Sequence, residues 1–67
     1  LSGRQLQVLG GIVRGLQNKL IAYELGLSIR TVEAYRDQLL ERLGARGTAD
    51  AVRVAIAAGL IDGADLS

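Results

Sequence analysis

Apolar residues recur along this chain at intervals of three and four, and glycines stand where the recurrence stops. Leu6, Val8, Leu9, Ile12 and Val13 fall on one face of a helix, with Gln7, Gly10, Gly11 and Arg14 opposite. Ser2 followed by Gln5 forms a capping box at its start, and Gly15 ends it. Gly10 and Gly11 inside this helix each cost up to about 1 kcal/mol relative to alanine. The pattern puts both on an exposed, weakly constrained face; a close backbone approach by a neighbouring domain is the alternative. Asn18 is read as the N-cap of a second helix over residues 19–25, with Ile21, Ala22 and Leu25 inward. Gly26 turns the chain, Leu27 anchors the turn, and Ser28 caps a third helix from Ile29 to about Leu43. There Ile29, Val32, Tyr35, Leu39, Leu40 and Leu43 gather on the buried side. Arg30, Ala34, Asp37, Gln38 and Glu41 point away, Thr31 and Glu33 lie on the flanks, and Gly44 stops the helix. A fourth helix begins at Gly47 or Thr48 and runs to Ala58, before Gly59.

The fourth helix is apolar on two sides. Val52, Ala55, Ile56 and Gly59 can line the core, while Ala51, Val54, Ala57 and Ala58 occupy the other face. An exposed stripe of small residues on a short helix predicts a helix–helix contact, read here as a symmetric homodimer. The competing reading is that alanines are good helix formers on a wet surface.

The second and third helices carry the most information. Ala22 is small enough for two helices to cross closely, Gly26 can take the positive φ of a sharp turn, and Val32 is placed to pack beneath Ala22. That spacing is the pattern of a helix-turn-helix, whose second helix projects an outer face of a size that fits the major groove of double-stranded DNA.

Sixty-seven residues make a single domain, over 1–67, with one modest core. The chain contains neither cysteine nor histidine, so it lacks the ligands of a zinc site and the base of a Ser-His or Cys-His pair. No cofactor is implied and catalysis is not expected. The absence of cysteine fits a reducing compartment, and no leader or long apolar run stands out, so a soluble, cytoplasmic, membrane-free protein is expected. The net charge of +1 is unevenly spread, at +3 from Leu1 to Thr48 and −2 thereafter, where Asp50, Asp62 and Asp65 outnumber Arg53. The first two-thirds can face phosphates; the last segment cannot. An ordinary mixed-charge surface is the plainer reading of the same numbers.

The run Leu1-Ser2, Val8-Leu9, Gly15, Asn18-Lys19, Ile21-Ala22, Leu25, Ser28, Thr31-Val32-Glu33, Leu43 and Ala51-Val52 resembles the LuxR-type DNA-binding domain. The FixJ/NarL branch of response-regulator output domains is the nearer match, its FixJ members above all, through Ile21-Ala22-Tyr23 and Arg30-Thr31-Val32-Glu33. The resemblance extends from Leu1 to about Ile61 and implies an all-α, four-helix bundle whose second and third helices form the reading unit and whose fourth forms a dimer contact. It further implies that Lys19, Ser28, Arg30, Thr31, Arg42 and Arg46 hold phosphates, which fixes register without reading sequence. Glu33, Ala34, Asp37 and Gln38 are implied to touch base edges, as carboxylates accept from cytosine N4, alanine touches a thymine methyl and glutamine pairs with adenine. For Glu33 an ion pair with Arg30 or Arg36 is the alternative. Three departures accompany the likeness. Gln5 stands where the family usually has Glu, Tyr35 replaces a frequent His while its hydroxyl can still reach a phosphate, and Gly47-Thr48 replaces a polar cap and an Arg. The outward face of the third helix is also net acidic, with Arg30 against Glu33, Asp37 and Glu41. The implied partners are DNA, a second copy of the chain, RNA polymerase and an N-terminal receiver domain. A sigma-factor-like promoter-reading domain shares the helix-turn-helix plan, and a protein-interaction module that lost DNA binding would explain the acidic face.

Overall fold

Capping serines open two of the four helices, and left-handed glycines close two of them where the chain turns. In the computed structural model, which describes residues 2–60, these helices are α1 (Gly3–Val13), α2 (Asn18–Leu25), α3 (Ile29–Leu43) and α4 (Thr48–Ala57). The described residues form an all-α fold with no strand. Leu1, Ile61, Asp62 and Asp65 lie outside the described residues. At the start of α1 the capping box forms as the sequence predicts: the Gln5 backbone N–H donates to Ser2 Oγ (3.1 Å) and the Ser2 N–H donates to Gln5 Oε1 (2.9 Å). Ser28 caps α3 by accepting from the Thr31 N–H at 3.1 Å. Gly26 (φ 69°) and Gly44 (φ 65°) close α2 and α3 in the left-handed conformation that a β-carbon disfavours.

α3 is the centre of the bundle, packed against α1, α2 and α4. Val8, Leu9, Ile12 and Val13 of α1 meet Ile21 and Ala22 of α2, Val32 and Leu39 of α3, and Ala55 of α4 in one core. Ala22 and Val32 are both buried there, as the helix-turn-helix spacing requires. Fully burying a valine, leucine or isoleucine side chain stabilises by about 1.5–3 kcal/mol. Leu16, Leu25, Leu27, Tyr35, Leu40, Leu43 and Val52 close the core's edges.

Five expectations are corrected. Asn18 is not the N-cap of α2; it is the first helical residue, and the cap position is Gln17, whose side chain makes no capping bond. Asn18 is drawn inward because its side chain is claimed by another helix, as described below. Gly11 is not on an open face, since α1 and α2 approach so closely there that a β-carbon at Gly11 would lie 2.7 Å from Ile21 Cγ1. The close approach comes from within the bundle. Leu6 and Ile29, assigned to buried stripes, are 39% and 46% exposed, because both sit in the first turn or two of their helices, beyond the reach of the neighbouring elements. Ala51 is completely buried and belongs to the core side of α4 together with Ala55, one turn on. It therefore leaves the candidate dimer face, where Val54 is half-buried and Ala57 and Ala58 are exposed.

Candidate nucleic-acid interface

The outward surface of α3 is one continuous stripe. Arg30, Glu33, Ala34, Asp37, Gln38 and Glu41 follow one another at steps of three or four residues, and all six are exposed. The ion pairs found among the described residues, Arg14–Glu24 and Arg53–Asp50, lie elsewhere. The Glu33 pairing with Arg30 or Arg36 does not form, so Glu33, Asp37 and Glu41 present bare carboxylates beside one guanidinium. Gln38 is engaged in part. Its Oε1 accepts from Gln5 Nε2 at 3.1 Å, which leaves its own amide N–H groups outward. The departure at Gln5 acquires a structural consequence here, because a glutamate in its place could cap α1 but could not donate to Gln38. Gln5, Gln38, Glu41 and Arg42 line a shallow groove of about 260 Å³ between the start of α1 and the end of α3.

Three of the cations expected to hold phosphates are exposed at helix ends or in a loop. Lys19 is exposed in the first turn of α2, Arg42 in the last turn of α3, and Arg46 in the loop before α4. At the α3 N-terminus the Ser28 and Thr31 hydroxyls are bonded to each other (2.9 Å), and Ser28 Oγ also accepts the Thr31 N–H. That bond uses one of the two hydroxyl protons and leaves the other for an outside acceptor. Tyr35 is half-buried with its ring against the core.

The start of α4 is fastened by charge rather than by a capping hydroxyl. Gly47 has no side chain to offer, and Asp50 reaches back to accept the Arg46 backbone N–H (3.0 Å) while receiving the Arg53 guanidinium. The Arg46 N–H first, and then Arg53, hold the Asp50 carboxyl below the usual carboxylate range.

Two residues escaped the sequence reading. Tyr23 is 85% exposed on α2, one turn after Lys19. Its ring contributes nothing to the core, which leaves its hydroxyl free for an outside partner. The sequence named Tyr23 only within the Ile21-Ala22-Tyr23 run of the family likeness and gave it no site role. Arg36, read only as an alternative partner for Glu33, instead donates to Asn18 Oδ1 (3.1 Å) and to Thr48 Oγ1. No spacing rule could show that link, because it joins three helices. Among the described residues no cluster of three or more carboxylates is placed to hold a metal ion.

A tight turn between α2 and α3, with an exposed stripe on the second of the pair, defines a helix-turn-helix domain. Comparison with known proteins places it further. The model of the family described as bacterial regulatory proteins, luxR family, matches residues 1–55, and the chain belongs to that family. It is similar to the transcriptional regulatory protein FixJ of Azorhizobium caulinodans, 48% identical over 60 residues, which are 90% of this chain and 28% of that protein. FixJ of Bradyrhizobium diazoefficiens is 42% identical over 62 residues, 92% of this chain and 30% of that one. The C4-dicarboxylate transport transcriptional regulatory protein DctR of Rhodobacter capsulatus is 44% identical over 50 residues, 75% of this chain and 25% of that one. The chain thus spans less than a third of the length of these relatives. No solved structure matched it. The luxR-family helix-turn-helix is that of a transcriptional regulator, and no helix among the described residues is long and apolar enough to cross a membrane.

Proposed function

We propose that this domain is the sequence-reading DNA-binding output module of a response-regulator-type transcription factor. In this reading α3 lies in the major groove, with Glu33, Ala34, Asp37 and Gln38 on base edges, and Lys19, Ser28, Arg30, Thr31, Tyr35, Arg42 and Arg46 on or near the phosphates. The supporting observation is the α3 stripe: six exposed side chains in register, free of internal ion pairs, on a domain that also exposes Lys19, Arg42 and Arg46. The bare carboxylates make the reading selective. Against phosphate they repel, and they are compensated where a cytosine N4 amino group meets them, so mismatched sites are penalised as well as unrewarded. Weak binding by one domain follows, and two copies joined through Val54, Ala57 and Ala58 of α4 would read paired half-sites about one helical turn apart. The remainder of the protein would hold a receiver domain on the N-terminal side that controls this pairing, and the bound dimer would recruit or block RNA polymerase.

The acidic stripe also favours a second reading, a protein-interaction module that keeps the fold without DNA. Fluorescence anisotropy of a labelled duplex over a salt series separates the two. With the four cations Lys19, Arg30, Arg42 and Arg46 on phosphates, log K falls against log salt with a slope of about −3 to −4 per domain. An affinity that is absent at low salt, or flat across the series, supports the interaction module instead.

A further inference from the structure

Arg36 is half-buried on the flank of α3, and its guanidinium turns away from the outward stripe toward the beginnings of two other helices. One Nη donates to Asn18 Oδ1 and the other to Thr48 Oγ1. Asn18 is the first residue of α2 and Thr48 the first residue of α4. Both acceptors are neutral, and the ion pairs of the described residues do not include Arg36. Helix N-termini carry partial positive charge, so attraction between charges does not explain a cation set against two of them. What the position uses is the rigid fork of the guanidinium, which holds two acceptors in a fixed relative direction as a flexible ammonium cannot.

Those two acceptors stand at informative places. Asn18 immediately precedes Lys19, the phosphate-holding residue of α2, and Thr48 opens the helix that carries Val54, Ala57 and Ala58. We propose that Arg36 is a positioning residue for DNA reading, fixing the angle of α3 to the Lys19 end of α2 and to α4 at once. The base contacts, the phosphate clamp and the pairing helix are then held in one frame. Functional groups need their supports to keep them within roughly 0.5 Å and 10–20° of the productive geometry, and a half-buried fork bonded at both tips is such a support. This role rests on the DNA-reading assignment above.

The test uses a duplex enriched from a random pool and a scrambled duplex of equal length, titrated over a salt series. The proteins are the parent, Arg36→Met, Arg36→Lys, Asn18→Ala and Thr48→Val, each checked by circular dichroism at the assay temperature. Arg36→Met is expected to lose tenfold or more on the enriched duplex while its affinity for the scrambled duplex and its salt slope stay parental. Arg36→Lys recovers part of the loss, because one ammonium replaces half of the fork. Asn18→Ala and Thr48→Val each lose part, and neither loses more when Arg36 is already Met. If Arg36→Met does not fold, the two acceptor variants decide the matter on the same readout. A salt slope shallower by about one would mean that Arg36 itself holds a phosphate, and equal loss on both duplexes, or none, would overturn the positioning role alone. A parent that enriches no duplex overturns the DNA-reading assignment and this role with it.

Discussion

Ser28 and Thr31 share one hydroxyl–hydroxyl bond at the start of α3, and one proton of the pair is left to give. Thr31→Val should therefore weaken binding to all duplexes alike, and Lys19→Ala should do so while also lowering the salt slope by about one; anisotropy on enriched and scrambled duplexes reads both. Glu33→Gln or Asp37→Asn should instead change preference at one or two base positions by roughly 1–3 kcal/mol, and unchanged preference would remove them from the base-reading set. Gly10 and Gly11 form a sharper pair. A β-carbon at Gly10 meets nothing within 4 Å, so Gly10→Ala should raise stability by roughly 0.5–1 kcal/mol through helix propensity. The same change at Gly11 drives a methyl into the buried Ile21, and overpacking of about 1–3 kcal/mol should outweigh that gain. Thermal unfolding of the two variants should move in opposite directions. In sequence the glycines are adjacent and alike; only the partner helix distinguishes them, which is why the reading placed both on an open face.

Elements were legible where the information is local. The apolar period of α1 and α3, the capping serines and the glycine stops all act within a few residues, and the helices lie where they predict. Asn18 failed as a cap because its side chain answers to Arg36, 18 residues away. Ala51 failed as a surface residue because alanine gives little sign of which side of a helix is inward, and α4 turns Ala51 and Ala55 to the core. The start of α4 has its own signature in pH. Asp50 has a folded pKa below its unfolded one, so its contribution is complete above the unfolded value and is lost as pH falls through the folded one. Asp50→Asn should melt at a lower temperature than the parent at pH 7, and the gap should start to shrink only as pH falls below about 4, closing once the folded carboxyl is protonated. A gap that persists in acid would mean that the carboxylate charge is not what fastens α4.

At the scale of the molecule, the bundle holds one helix outward for reading and leaves the last helix with a small apolar face. Val54, Ala57 and Ala58 are the remaining candidates for self-association, and Ala58→Glu should abolish it in sedimentation while leaving the helical spectrum intact. An unchanged mass would remove α4 from the dimer proposal. The chain's relatives are more than three times its length, so control of pairing would lie outside the 67 residues. The family and the helix-turn-helix were legible from motif spacing; the contacts that lock the reading helix in place were not, since they depend on which residues meet across helices. The central claim is that this surface reads sequence. Selection of bound duplexes from a random pool at near-physiological salt, with the domain fused to an artificial dimeriser so that weak single-domain affinity does not mask preference, tests it most directly. Enrichment of a direct or inverted repeat with half-sites about one helical turn apart is predicted; a folded fusion that enriches no sequence would contradict the account.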